Sequence, residues 1–170
     1  MALSVATALL CGCAATGKSG LDYASMSQKI GPPKAGHARI VVLREQLRAG
    51  LVDQGWDVKL DGAPLTGLKA GTYVYIDRPA GGHQLSATET LFPGTTQHEI
   101  SAQSGRTYFF LAQRSKKSDA ITAATVIGGL AGAAVGAAMT SGEENPGPLD
   151  FVPLDEATAR TRIAELQLGS

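Results

Sequence analysis

The chain has 170 residues, 44% of them apolar, with 15 basic residues set against 15 acidic ones. That length suits one core with appendages, and the balanced charge leaves no electrostatic footprint for nucleic acid or for a polybasic hold on anionic lipid. Its two cysteines, Cys11 and Cys13, both stand in the apolar N-terminal run, so a domain downstream must fold without a disulfide, a zinc–thiolate cluster or a catalytic thiol.

Met1 to Leu10, MALSVATALL, has the length of a secretory hydrophobic region and falls short of the ~20 residues that a spanning helix needs. Leu10-Cys11-Gly12-Cys13 follows at once and resembles the lipobox of bacterial lipoproteins, in which an aliphatic residue and two small ones precede the cysteine that becomes the N-terminus. The resemblance implies cleavage before Cys13, a diacylglycerol on its sulfur and acylation of the new amine. Several chains hold firmly, at about 0.8 kcal/mol per buried CH₂, whereas one alone is marginal. Cys11 is an uncommon occupant of its position, and no Lys or Arg precedes the apolar run as signal peptides normally require, which points to a start upstream of Met1. Ala14 stands where an Asp would resemble an inner-membrane retention signal, so the expected address is the outer membrane, facing the periplasm. The alternative for residues 1–13 is a buried first strand or helix.

Gly12 to Ser19, GCAATGKS, also fits the P-loop pattern, with Lys18 placed to reach a terminal phosphate. Tyr73 to Asp77 even offers an apolar strand ending in an acid, as a magnesium-binding strand would. The context opposes a nucleotide hydrolase: Gly20 and Gly31-Pro32-Pro33 leave no room for the long helix a P-loop must open, and no strand–helix alternation follows. Residues 14–36, rich in Ser, Gly, Lys and Pro, read instead as a flexible tether.

Beyond the tether, Ala38 to Arg44 is a β-branched run. Val58 and Leu60 alternate with charged residues and end on the Asp61-Gly62 turn dipeptide. Gly71 to Ile76 is aromatic and β-branched, and Pro79-Ala80-Gly81-Gly82 breaks it. His83, Leu85 and Ala87 share one face of the next strand; His98, Ile100 and Ala102 line another. After Ser104-Gly105, Thr107 to Leu111 is the most apolar strand. Strands at short, turn-marked intervals predict an antiparallel sandwich. Near the end, Ala159, Ile163 and Leu166 fall at helical spacing over Glu156 to Leu166, with Asp155 as its cap and Gly169 as its stop.

This succession resembles a domain-of-unknown-function family of short bacterial lipoproteins with a prealbumin-like, or transthyretin-like, β-sandwich. The carrying residues are Ala38-Arg39-Ile40-Val41-Val42, Val58-Lys59-Leu60-Asp61-Gly62, Gly71-Thr72-Tyr73, Pro79-Ala80-Gly81-Gly82-His83 and Gly105-Arg106-Thr107-Tyr108-Phe109. The resemblance covers residues 38–114, with 149–168 as a closing piece, and implies a fold and a location but no activity.

Between those pieces Ala120 to Thr140 carries no charge; Lys116 and Lys117 precede it and Glu143 and Glu144 follow. Gly128, Gly132 and Gly136 recur every fourth residue and would line one helical face, so the stretch resembles the glycine-zipper segments of outer-membrane lipoproteins and could associate with a second copy. If its flanks belong to one sandwich, a single crossing of a bilayer is excluded. A turn near Gly128-Gly129 would leave arms of roughly 15 Å, enough for shallow insertion only.

The expected organisation is thus a signal peptide at 1–12, a lipidated tether at 13–36, a β-sandwich at 37–114, an Ala/Gly-rich helical insertion at 115–148 and a closing strand and helix at 149–170. His37, His83 and His98 lack metal-site spacing, and no nucleophile elbow, zinc-protease motif or carboxylate pair is present. Trp56, Tyr73 and Tyr75 read as core or rim residues. No enzymatic activity, cofactor, metal or nucleic acid is expected. The expected partners are the membrane, through lipid on Cys13, and a second copy or another envelope protein.

Overall fold

The computed structural model describes residues 23–47, 55–90, 92, 94–139 and 147–169. Strands β1 (His37–Arg44), β4 (Thr72–Pro79), β7 (Thr107–Arg114), β8 (Leu149–Leu154) and β9 (Gln167–Leu168) form one sheet, in the order β8-β7-β1-β4-β9. A second sheet takes β2 (Trp56–Leu60), β3 (Ala63–Pro64), β5 (Gly81–Glu89) and β6 (Thr96–Ala102), in the order β3-β2-β5-β6. The protein is mainly β and built on these two sheets.

Each strand follows from its side chains. Val58 and Leu60 alternate with polar neighbours because β2 buries one face only. Ile40 to Leu43 instead form a continuous apolar run, because β1 is buried on both faces. Ile40, Val42, Val74 and Phe110 meet Val58, Leu60, Leu85 and Ile100 of the second sheet in one core. Val41, Leu43, Tyr73, Phe109 and Leu111 point the other way, into a second cluster closed by helix α3 (Glu156–Ile163). Asp155 caps α3 by accepting from the Thr158 amide, 2.9 Å away. Ala159 and Ile163 on its inner face, with Leu166 just beyond its end, are buried, each large side chain stabilising the fold by about 2 kcal/mol.

The expectation of an antiparallel sandwich needs correction in the first sheet, where β1 pairs parallel with β7 and β4 parallel with β9. Apolar alternation decides which face a strand buries but carries no information about its direction. The Ser104-Gly105 turn does not fold β7 back beside β6; it carries the chain from one sheet to the other, and the Gly105 amide donates to the His37 carbonyl at 2.7 Å to set the parallel register. Ala80 is likewise a corner between sheets, its amide donating to the Gly36 carbonyl at 2.8 Å. By contrast Asp61-Gly62 is a tight hairpin turn joining β2 to β3, with positive φ at both residues (52° and 78°).

The tether also differs from expectation. Tyr23–Ile30 is a helix, α1, ended by Gly31 at φ 68°, whose amide donates to the Ser27 carbonyl. A helix this short draws its stability from contacts made elsewhere in the chain, here with α3 and through an Arg39 guanidinium bond to the Gly31 carbonyl.

Candidate functional site

The Ala/Gly stretch forms helix α2, Lys116–Met139, interrupted at Gly129 by a non-helical backbone (φ 58°, ψ −144°). Ser115 caps it: the Ser118 amide donates to Ser115 Oγ at 3.1 Å, and the Asp119 amide to the Ser115 carbonyl at 3.0 Å. The same serine holds the returning chain. Its hydroxyl donates to the Gly147 carbonyl (2.8 Å) and its amide to the Pro148 carbonyl (2.9 Å). One step further, Thr96 of the second sheet donates its hydroxyl to the Leu149 carbonyl (2.7 Å) and accepts from the Leu149 amide (3.1 Å). Ser115, Thr96 and Leu149 are buried, so the two ends of the excursion are closed by an internal latch.

Arg114, at the end of β7, ties the root of α2 to the domain. Its Nη2 donates to Ser118 Oγ (2.8 Å) and Thr122 Oγ1 (3.2 Å), while the guanidinium faces Asp119 and, at 3.8 Å, Glu89. Above this root α2 has no substantial packing partner among the described elements. Val126, Ile127 and Leu130 are 83%, 89% and 90% exposed, and they are the exposed large apolar side chains among the described residues.

The break at Gly129 separates Gly128 from Gly132 and Gly136, so the three do not lie on one uninterrupted helix as their spacing suggests. Repeat spacing counts residues along a helix, and a positive-φ glycine resets that count. No helix of the described residues is long and apolar enough to cross a membrane. Leu10, Cys11, Gly12 and Cys13, and the P-loop-like run ending at Lys18 and Ser19, lie outside the described residues.

The remaining chemistry-bearing groups are taken up by structural contacts. Asp77 receives both Arg39 Nε (2.7 Å) and Nη2 (2.9 Å) in a fork directly across the β1–β4 ladder. Its carboxylate, offered by the sequence as a magnesium ligand, therefore neutralises an arginine that is only 4% exposed. His83 Nδ1 lies 2.8 Å from Asp61 Oδ2 and its Nε2 2.8 Å from the Pro79 carbonyl. Burial pushes the Asp61 carboxyl up, but the Gln84 amide, His83 and Arg78 outweigh it and hold the group below its ordinary value.

His98 packs edge-on against Phe110 at 5.1 Å and lies beside Phe151. Loss of solvent lowers its pKa, with Glu99 opposing. His37 Nδ1 faces the Ala35 carbonyl. Among the described residues no group of three or more His, Cys, Asp or Glu stands close enough to hold a metal ion. Tyr73 is fully buried on the α3 side of its sheet, Tyr75 lies beneath Arg39, and Trp56 stacks under the Arg44 guanidinium at 3.7 Å between the sheets. The aromatics form no common patch. The latch residues Thr96 and Gly147 carry no motif; Ser115 could have been read as a helix cap from its place before Lys116.

Compared with known families, residues 34–128 match the model of a protein family of unknown function, DUF2846. The chain belongs to the DUF2846 family. The matched region runs from the residues before β1 through all of β7 into the first arm of α2, and so takes in the whole second sheet, β1, β4 and β7 of the first, and Ser115, while β8, α3 and β9 lie beyond it. No curated protein and no solved structure matches the chain.

Proposed function

We propose that this DUF2846 member is a bacterial envelope lipoprotein, cut before Cys13 and held by acyl chains on that residue, whose β domain binds or scaffolds a partner rather than performing catalysis. The observation that carries the reading is the run MALSVATALL followed directly by Leu10-Cys11-Gly12-Cys13. A length suited to an export signal is joined there to a cysteine that has no thiol partner in the domain. The non-catalytic part is supported by the use made of Asp77, Asp61 and His83, whose polar atoms face protein partners. A prealbumin-like sandwich is supported by the division of β1 to β8 into the orders 8-7-1-4 and 3-2-5-6 around one core. The outer membrane, facing the periplasm, is the proposed address.

Intact mass spectrometry of the protein purified from its native membrane tests the assignment. The expected species begins at Cys13 and carries diacylglyceryl and amide-linked acyl mass, and the Cys13→Ser protein keeps its leader and carries no acyl mass. A native chain beginning at Met1 with a free thiol at Cys13 would overturn it.

A further inference from the structure

We infer that α2 is a lipid-dipping arm that enters one leaflet of a phospholipid bilayer tip first at Gly129, with Lys116 and Lys117 at the headgroup phosphates. The inference deepens the membrane-anchored reading above by naming a second, non-covalent contact with lipid. Its starting point is the set of exposed large apolar side chains, Val126, Ile127 and Leu130, which all fall within five positions around the helix break. Soluble surfaces scatter such residues singly; clustered at the break of a helix with no substantial packing partner among the described elements, they call for an apolar medium.

The medium is narrowed by the helix itself. Val126 and Ile127 are consecutive on the helix and so point about 100° apart, and Leu130 lies beyond the break; a groove on a protein would cover only one side, whereas acyl chains surround a helix entirely. Charge is confined to the root: Lys116, Lys117 and Asp119 open α2, and none follows to Met139. A lysine pair at the base of an uncharged tip complements phosphate above hydrocarbon. Even the polar side chains suit that setting, because Thr125 donates its hydroxyl to the Ile121 carbonyl at 2.7 Å and Thr122 accepts from Arg114.

The latch then fixes the mode of entry. Because Ser115 holds both Gly147 and Pro148, the chain must return to the side from which it left. Either side of Gly129 the arms, Lys116 to Gly128 and Leu130 to Met139, measure about 20 Å and about 15 Å by helical rise. That matches roughly half of a ~30 Å hydrocarbon core.

The test uses full-length protein carrying Cys13→Ser, which removes the covalent anchor, with Leu130→Trp added as a reporter. It is mixed with vesicles of phosphatidylethanolamine and phosphatidylglycerol brominated along the acyl chains. Trp56, held between the sheets, is the reference. The expected result is a blue shift and quenching of the added indole but not of Trp56, lost when Val126→Lys and Ile127→Lys are introduced while thermal unfolding of the domain is unchanged. An added indole that acyl bromines do not reach would overturn the inference, as would one shielded by oligomerisation without lipid. Neither result bears on Cys13, whose acylation is read separately from the native mass.

Discussion

Arg39 sits in the middle of a sheet, 4% exposed, beneath the end of α1. A guanidinium so far from water relies on Asp77 for an opposite charge, because a buried charge that loses its counter-ion keeps its desolvation penalty. Asp77→Ala should therefore destabilise the domain by about 3 to 5 kcal/mol in urea unfolding, and added magnesium and nucleotide should leave the value unchanged. An Asp77→Ala protein as stable as the parent would show that the fork contributes nothing. His98 tests a different kind of burial. Packing against Phe110 lowers its pKa, so in the affected range the unfolded chain binds the proton and the folded one does not. Stability is then complete above the ordinary histidine value of 6.5 and falls as the pH drops from there to the depressed folded value. Urea midpoints from about pH 8 down to about pH 5 should show that decline in the parent and a shallower one in His98→Gln. A decline as steep in the variant would assign the acid sensitivity to other groups.

At the scale of elements, what could be read in advance was what repeats. Leu85 and Ala87, or Val58 and Leu60, announce a half-buried strand by alternation, and Asp155 with Ala159 and Ile163 announces a capped helix by spacing. The parallel β1–β7 pair, the short β9 and α1 could not be read that way, since each depends on a partner distant in sequence: His37 for Gly105, Gly71 for Gln167, α3 for α1. Nothing at Thr96 suggests that its hydroxyl serves both the amide and the carbonyl of Leu149, 53 positions away. Of the proposed site, the apolar insertion, its charged flanks and an interruption near Gly128-Gly129 were legible; the latch, made by residues distant in sequence, was not. The latch is directly testable. Thr96→Val removes the two bonds that the hydroxyl makes to Leu149, a loss of about 1 kcal/mol for each. Gly147→Ala would drive a Cβ into the Thr96 backbone, so it should also destabilise, and Leu149 amide exchange should accelerate in both variants. Unaltered exchange at Leu149 would mean that the latch does not hold β8.

For the whole molecule, the arrangement separates folding from the excursion. Both clusters that hold the domain together draw on the sheets and α3, and among the described residues neither contains one of α2. The stretch from Lys116 to the residue before Gly147 departs and returns at one point, where Ser115 meets Gly147 and Pro148. A short loop can span that point with its entropy of closure little changed, because that cost grows only with the logarithm of length. Replacing residues 120–143 by a brief Gly/Ser turn should thus leave the free energy of unfolding within about 1 kcal/mol of the parent, with the root contacts of Arg114 to Ser118 retained. A fall of several kcal/mol would instead make α2 a packed part of the domain, and its exposed Val126, Ile127 and Leu130 would need a partner within the fold. If stability holds, a long apolar helix kept at no benefit to folding must owe its composition to something outside the chain. The latch then serves to let the arm enter an apolar medium without pulling on the sheets.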